Sequence, residues 1–106
     1  MKPLAWMNTE IKTPPFSKDA RIEAGHLLRQ LQSGIKLSLP SSRPLPSIDV
    51  KCHELRITDE NVIWRVVYAI ENDAIVILEV FPKKTEKIPK KDIDIIKNRL
   101  SSYRSF

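Results

Sequence analysis

The sequence predicts an α+β protein: a small antiparallel sheet of three to four strands, an N-terminal helix packed on it and a basic helix after it. Two observations predict this fold. Apolar and β-branched residues fill three consecutive segments between Cys52 and Phe81, partly in strict alternation. In two flanking segments, apolar residues instead recur mostly at three- and four-residue steps, as in amphipathic helices.

The first helix is predicted from Lys18 to Gln32. Ser17 precedes it and can accept a hydrogen bond from an amide of the first turn, while Gly34 follows it and suits a helix end. Thr13-Pro14-Pro15 is predicted to exclude helix upstream, because proline fixes its own backbone and restricts the residue before it. The segment Pro3–Met7 could form a short additional strand.

Three strands are predicted after residues 35–50, a proline- and serine-rich segment that reads as an ordered loop or crossover. The first strand begins at Cys52, the second runs from Val62 to Ile70 and the third from Ala74 to Phe81. Short polar turns separate the strands, and Pro82 ends the last one. The nearly continuous apolar run of the third strand is typical of a central strand covered on both faces.

A second amphipathic helix is predicted after Pro89, which suits the first turn of a helix. This helix would cover the sheet or be available to a partner. The charge distribution is uneven, because residues 1–81 are neutral overall and residues 82–106 carry the whole net charge of +5. Such a segment is suited to phosphate or to an acidic partner, although a solvated surface helix has the same composition.

Length and composition limit the classes of protein to which this sequence can belong. A chain of 106 residues predicts a single domain, 1–106. No apolar stretch approaches the roughly 20 residues that span a bilayer, and MKPLAWMNTE lacks the apolar region of a signal peptide, so a cytoplasmic location is expected. The lone Cys52 excludes an internal disulfide and a Cys-rich zinc site, and is expected to be a small buried hydrophobe.

The motifs HELR, WRVVY and AIVILEVFPKK, followed by a basic helix, closely resemble the RelE/HigB-type toxins of bacterial type II toxin–antitoxin modules. The phage-derived HigB-like branch is the most similar, and EIKTPPFSKDARIEAGHLLRQLQSG with SRPLPSI extends the resemblance over nearly the whole chain. The resemblance implies an mRNA interferase, an endoribonuclease that cleaves mRNA on the ribosome without a metal or organic cofactor. It also implies a hetero-oligomer with an antitoxin, often a helix-turn-helix protein, and no membrane partner.

Carried over position by position, the resemblance implies three catalytic residues: Arg56 in HELR, Arg65 in WRVVY and Lys84 in FPKK. A guanidinium stays charged and forks onto phosphate oxygens, so the arginines suit the stabilisation of negative charge on phosphorus. Both arginines are predicted to lie in the outward phase of their strands. There they could contact RNA, or pair with Glu54 or Glu79 in surface salt bridges of little energy.

Four further residues are predicted to bind RNA: Lys83, Lys87, Lys51 and His53. The lysine pair that follows Pro82 has an alternative interpretation as a solvated strand end that discourages edge pairing. An imidazole suits acid–base chemistry near neutral pH. However, His53 shares a strand phase with Leu55, which favours a partly buried position on the core side.

One departure from the resembled pattern leaves the acid–base group open. Strongly active members often have a tyrosine or histidine near the C-terminus that orients or activates the nucleophile. In this sequence Thr85 follows the lysine pair, and the nearest aromatic candidates are Tyr103 and Phe106. Two other functions therefore stay open: a ParE-like inhibitor of DNA gyrase, and a catalytically inactive protein of the RelE fold that is kept for binding.

Overall fold

The computed structural model describes residues 1–7 and 16–105. Within them the order of elements is β1 (Leu4–Trp6), α1 (Lys18–Gln32), β2 (Ser42–Pro44), β3 (Cys52–Asp59), β4 (Val62–Ile70), β5 (Ile75–Pro82) and α2 (Lys90–Arg104). The predicted α+β class, with both helices packed on the sheet, is confirmed. The predicted stop at Thr13-Pro14-Pro15 and the candidate Phe106 lie outside the described residues.

The strands of the described residues form one sheet in the order β1-β5-β4-β3-β2. Neighbours from β2 to β5 are antiparallel, whereas β1 runs parallel to β5, with Leu4 opposite Ile75. The sheet is thus mixed, and it has five strands where three to four were expected. The strand β2 has only three residues and ends on Pro44. The residues of β2 form a strand because they pair with β3, and the composition of the segment does not predict this pairing.

Helix α1 covers one face of the sheet. Its capping is as predicted: Oγ of Ser17 accepts a hydrogen bond from the amide of Ala20 at 3.2 Å, and Gly34 beyond the helix has a φ of 89°. Trp64 of β4 packs against this core, with its ring tilted by 56° relative to that of Phe16. The buried residues on this face are Ala20, Ala24, Leu27, Leu28, Leu31, Leu55, Ile57, Val66, Tyr68, Ile75, Ile77 and Val80.

Helix α2 packs on β5, on the opposite face of the sheet. Pro89 is the N-cap, one position before the first helical residue. Nη1 of Arg99 donates to the carbonyl oxygen of Leu78 at 2.7 Å, which fastens the helix to the strand. Cys52 is fully buried here, as expected. The buried apolar residues on this face are Leu45, Cys52, Val67, Ala69, Ala74, Val76, Leu78, Ile88, Ile96 and Leu100.

The last turn of α2 is joined to the loops at one end of the sheet through Arg104. Its guanidinium lies 2.7 Å from an oxygen of Asp49 and 2.8 Å from an oxygen of Glu71. The hydrogen bond from Arg104, followed by the one from the amide of Lys51, lowers the pKa of Asp49 from 3.8 to about 2. The folded state therefore prefers the ionised form of Asp49.

This ion pair predicts a specific acid sensitivity. Its contribution to stability is fully present above pH 4 and is lost as the pH falls from about 4 to about 2, because only the unfolded chain binds the proton in that window. Since Arg104 is 38% exposed and solvent screens the pair, we expect a loss of about 1 kcal/mol. Urea unfolding between pH 2 and 5 would measure it. In Arg104→Ala this part of the pH dependence should disappear, and an unchanged slope would contradict the assignment.

Candidate functional site

The two predicted arginines lie side by side on the face that carries α2. Arg56 of β3 is directly opposite Arg65 of β4 in the antiparallel register. Glu54 lies two residues before Arg56 and therefore on the same face, and Arg43 of β2 is opposite Glu54. Strand pairing thus gathers three arginines around one carboxylate. We call these four residues the arginine cluster.

Glu54 is the shared partner in the arginine cluster. Its Oε2 lies 3.0 Å from Nε of Arg56 and 3.5 Å from Nη2 of Arg43, and its Oε1 lies 3.0 Å from Nε of Arg65. The side chains of Glu54 and Arg65 are fully buried, while those of Arg56 and Arg43 are 25% and 36% exposed. One negative charge therefore faces three positive charges, and the excess lies on the two exposed arginines.

The expected outward position of Arg65 is wrong, because its side chain is completely buried. The physical reason is the segment of residues 83–89, which folds back over the strand and which we call the lysine loop. Nη2 of Arg65 donates to the carbonyl oxygens of Thr85 at 2.6 Å and Glu86 at 2.7 Å. Burial lowers the pKa of Arg65, and the charge of Glu54 opposes that shift. Of the two alternative partners, Glu54 is the one observed, in a buried rather than a surface pair.

The lysine loop carries the three predicted lysines and contacts the arginine cluster through its backbone. The amide of Lys83 donates to the carbonyl oxygen of Ile63 at 2.7 Å, so the loop starts against β4. Nζ of Lys83 lies 3.2 Å from a carboxylate oxygen of Glu86. Lys84 and Lys87 are exposed. A cleft of about 380 Å³ separates the loop from residues 43–48, and Arg43 and Lys87 are among its lining residues.

Two of the predicted RNA-binding residues lie elsewhere. His53 occupies the opposite phase of β3, where its ring stacks on Tyr68 at a centroid distance of 5.3 Å, on the face that carries α1. This partly buried position agrees with the core side that its strand phase favours. Nζ of Lys51 lies 4.0 Å from Glu71, at the end of β4 away from Arg65. The structure therefore does not bring His53 or Lys51 to the arginine cluster.

The nearest described aromatic candidate is also remote from the cluster. The hydroxyl of Tyr103 donates to a carboxylate oxygen of Asp73 at 3.0 Å, in the turn between β4 and β5. Arg65, by contrast, is opposite Phe81 near the other end of β5. Tyr103 is therefore not placed to act beside the arginines, and the acid–base group stays open.

Two residues of this face were missed as site candidates. Arg43 belongs to the segment for which the sequence predicts a loop, and it is recognisable only from the pairing of β2 with β3. The sequence predicts Glu79 only as a salt-bridge partner for Arg56 or Arg65, whereas it lies opposite Val67 and beside α2. Burial, followed by the charge and the hydrogen bond of Asp92, raises the pKa of Glu79 to about 7. The sequence of a strand does not show that a glutamate within it is buried beside another carboxylate, so this raised pKa could not be predicted.

The described residues offer neither a metal site nor a membrane-spanning helix. Across residues 1–7 and 16–105, no three His, Cys, Asp or Glu side chains converge closely enough to hold a metal ion. The helices of this part of the chain are also too short or too polar to cross a membrane.

Comparison with known proteins identifies the family. The family model described as "Phage derived protein Gp49-like (DUF891)" matches residues 14–101. A comparison with curated proteins finds no significant match. The family groups candidate toxins of toxin–antitoxin systems that are similar to RelE and HigB, in agreement with the resemblance seen in the sequence motifs. Since the match covers well over half of the sequence, the chain belongs to this Gp49-like family of phage-derived proteins.

Proposed function

We propose that this chain is the toxin of a type II toxin–antitoxin module, and that it inhibits translation as a ribosome-dependent mRNA interferase. The observation that carries the proposal is the arginine cluster, in which three guanidiniums share one carboxylate beside the lysine loop. Family membership supports the toxin role. The excess of positive charge supports a polyanionic substrate.

The chemistry explains why this arrangement suits RNA. Cleavage without a metal requires positive charge where the phosphorane becomes negative, together with groups that move protons at the 2′-hydroxyl and the leaving 5′-oxygen. Arg56 contacts Glu54 through Nε, which keeps its terminal nitrogens available for a phosphate. The exposed Lys84 can contact the same phosphate or give a proton to the leaving oxygen. Lys83 and Lys87 would bind neighbouring phosphates.

The proposed setting is the cytoplasm, with the ribosome and mRNA as targets and a co-expressed antitoxin as partner. A helix-turn-helix antitoxin would form a hetero-oligomer with the toxin. An acidic segment of the antitoxin would complement the exposed charges of the arginine cluster and the lysine loop. Lys51 and His53 take no step in this proposal, because they lie away from the cluster.

Two substitutions test the proposed activity. Arg56→Ala and Lys84→Ala should each lower mRNA cleavage about 10²- to 10³-fold, because each removes a charge that stabilises the transition state. The measurement is a map of mRNA 5′ ends in cells that express each variant, aligned with ribosome positions. Lys18→Ala is the matched control, since this exposed lysine lies on the helix of the opposite face. Cleavage that is unaffected by Arg56→Ala would contradict the proposed site.

The same experiment separates the alternatives. Growth arrest with intact mRNA and trapped gyrase–DNA complexes would identify a ParE-like inhibitor. Absence of both growth arrest and cleavage would identify a catalytically inactive binding protein. The burial of Arg65 favours this last alternative, because a guanidinium enclosed in an ion pair cannot reach a substrate.

A further inference from the structure

We infer that Arg65 is a positioning residue, which fastens the lysine loop to the sheet beside Arg56 and does not itself bind phosphate. The part of this inference that concerns phosphate rests on the proposed function. The fastening of the loop rests on the contacts of the free protein alone. The resemblance implies that Arg65 is catalytic. The geometry instead assigns the contact with phosphate to Arg56, its neighbour across the strand pair.

The contacts of Arg65 are directed into the protein. Nε lies 3.0 Å from Oε1 of Glu54, and Nη2 donates to the carbonyl oxygens of Thr85 and Glu86. Nη1 is buried as well, without a hydrogen-bond partner among the described residues. A phosphate could reach the buried Nη1 only if the residues around it moved, and a movement of the lysine loop would break both hydrogen bonds of Nη2.

The lysine loop needs such a fastening because of its charge. Lys83, Lys84 and Lys87 belong to the loop whose backbone contacts Arg65, directly across the strand pair from Arg56, and like charges at short range repel one another. Arg65 holds the loop by hydrogen bonds to backbone carbonyls, while the carboxylate of Glu54 neutralises the charge of Arg65. It can therefore anchor a basic segment without adding to the repulsion. Lysine could not substitute, since only a planar guanidinium reaches Glu54 on one side and two carbonyls on the other.

Hydrogen–deuterium exchange of the free protein tests the fastening. In Arg65→Lys, amides of the lysine loop should exchange at least about ten-fold faster, because the loop opens without its anchor. In the matched variant Arg56→Lys, exchange in the loop should stay within about two-fold of the unaltered protein. Loop exchange that is unchanged in Arg65→Lys would overturn the inference.

A double-mutant cycle tests whether Arg65 acts through the loop. Arg65→Lys should lower RNA cleavage about 100-fold in the otherwise unaltered protein, the loss expected when a reacting group is displaced by about 1 Å. In a Lys84→Ala background the same substitution should cost less than about three-fold, because the group that it positions is already absent. Additive losses would show that Arg65 contributes independently, which would overturn the inference.

Labelling of the unaltered protein covers the case in which Arg65→Lys does not fold. An arginine-specific dicarbonyl should modify Arg56, and an RNA oligonucleotide with a 2′-deoxy cleavage site should protect it. Arg65 should stay unmodified with and without RNA. Modification of Arg65 in the free protein, prevented by RNA, would overturn the inference. If RNA protects neither arginine and Arg65 stays unmodified, the proposed function fails while the positioning role stands.

Discussion

Replacement of Glu54 by glutamine is expected to lower the free energy of unfolding by about 3–5 kcal/mol, the usual cost of removing one partner of a buried ion pair. Glu54 is fully buried and contacts three arginines, one of which is also fully buried. Glutamine keeps the size of the side chain and removes its charge. Arg65 would then lie in the protein interior without a counter-ion.

Urea unfolding of the Glu54→Gln variant measures this loss. The matched control is Glu60→Gln, because Glu60 is an exposed acid in the turn after β3 and should change stability by less than about 0.5 kcal/mol. In a double variant that also carries Arg65→Met, part of the loss should be recovered, since the uncompensated charge is gone. If the free energy of unfolding of Glu54→Gln falls by less than about 1 kcal/mol, water reaches the arginine cluster and the prediction of a buried ion pair is contradicted.

Glu79→Gln should have the opposite effect and stabilise the protein at alkaline pH. Burial and Asp92 raise the pKa of Glu79 from 4.5 to about 7, while Arg99 and Lys91 oppose the shift. Between these two pH values the unfolded chain loses the proton and the folded protein keeps it, so stability falls as the pH rises. Above pH 7 both states are ionised and the full penalty, about 3 kcal/mol, is present.

Unfolding free energies between pH 4 and 8 test this prediction. Glu79→Gln should remove the decline and exceed the unaltered protein by about 3 kcal/mol at pH 8, with no gain near pH 4. The control is Asp94→Asn, because Asp94 is an exposed acid on the same helix as Asp92. If the stability of Glu79→Gln declines with pH as steeply as that of the unaltered protein, the titrating group is another residue.

The main elements of the fold could be predicted from local signals. The helix Lys18–Gln32 and the strand Val62–Ile70 have the predicted bounds, because a capping serine, a terminal glycine and polar turns mark their ends. The third predicted strand is displaced by one residue at each end. The pairing of β1 and β2 could not be predicted, since strands of three residues are stabilised by their neighbours rather than by their own composition.

The candidate site was predicted only in part. Alternation correctly placed Arg56 and Arg65 on one face, opposite Leu55. It could not show that the lysine loop folds over Arg65, because backbone carbonyls are the acceptors and every residue supplies one. Glu54 was a usable signal, as an acid in the same phase as both arginines. Its contact with Arg43 could not be predicted, because that contact depends on the pairing of β2 with β3.

The parallel pairing of β1 with β5 has a consequence for the time at which the protein folds. β1 pairs with β5, which is synthesised much later. The edge of the sheet that β1 forms therefore cannot assemble until β5 has emerged from the ribosome. The arginine cluster and its covering loop are subject to the same delay, since residues after β5 enclose Arg65. A hairpin of β3 and β4 can form first. The ribosome that makes this chain therefore completes most of it before the cationic surface is assembled.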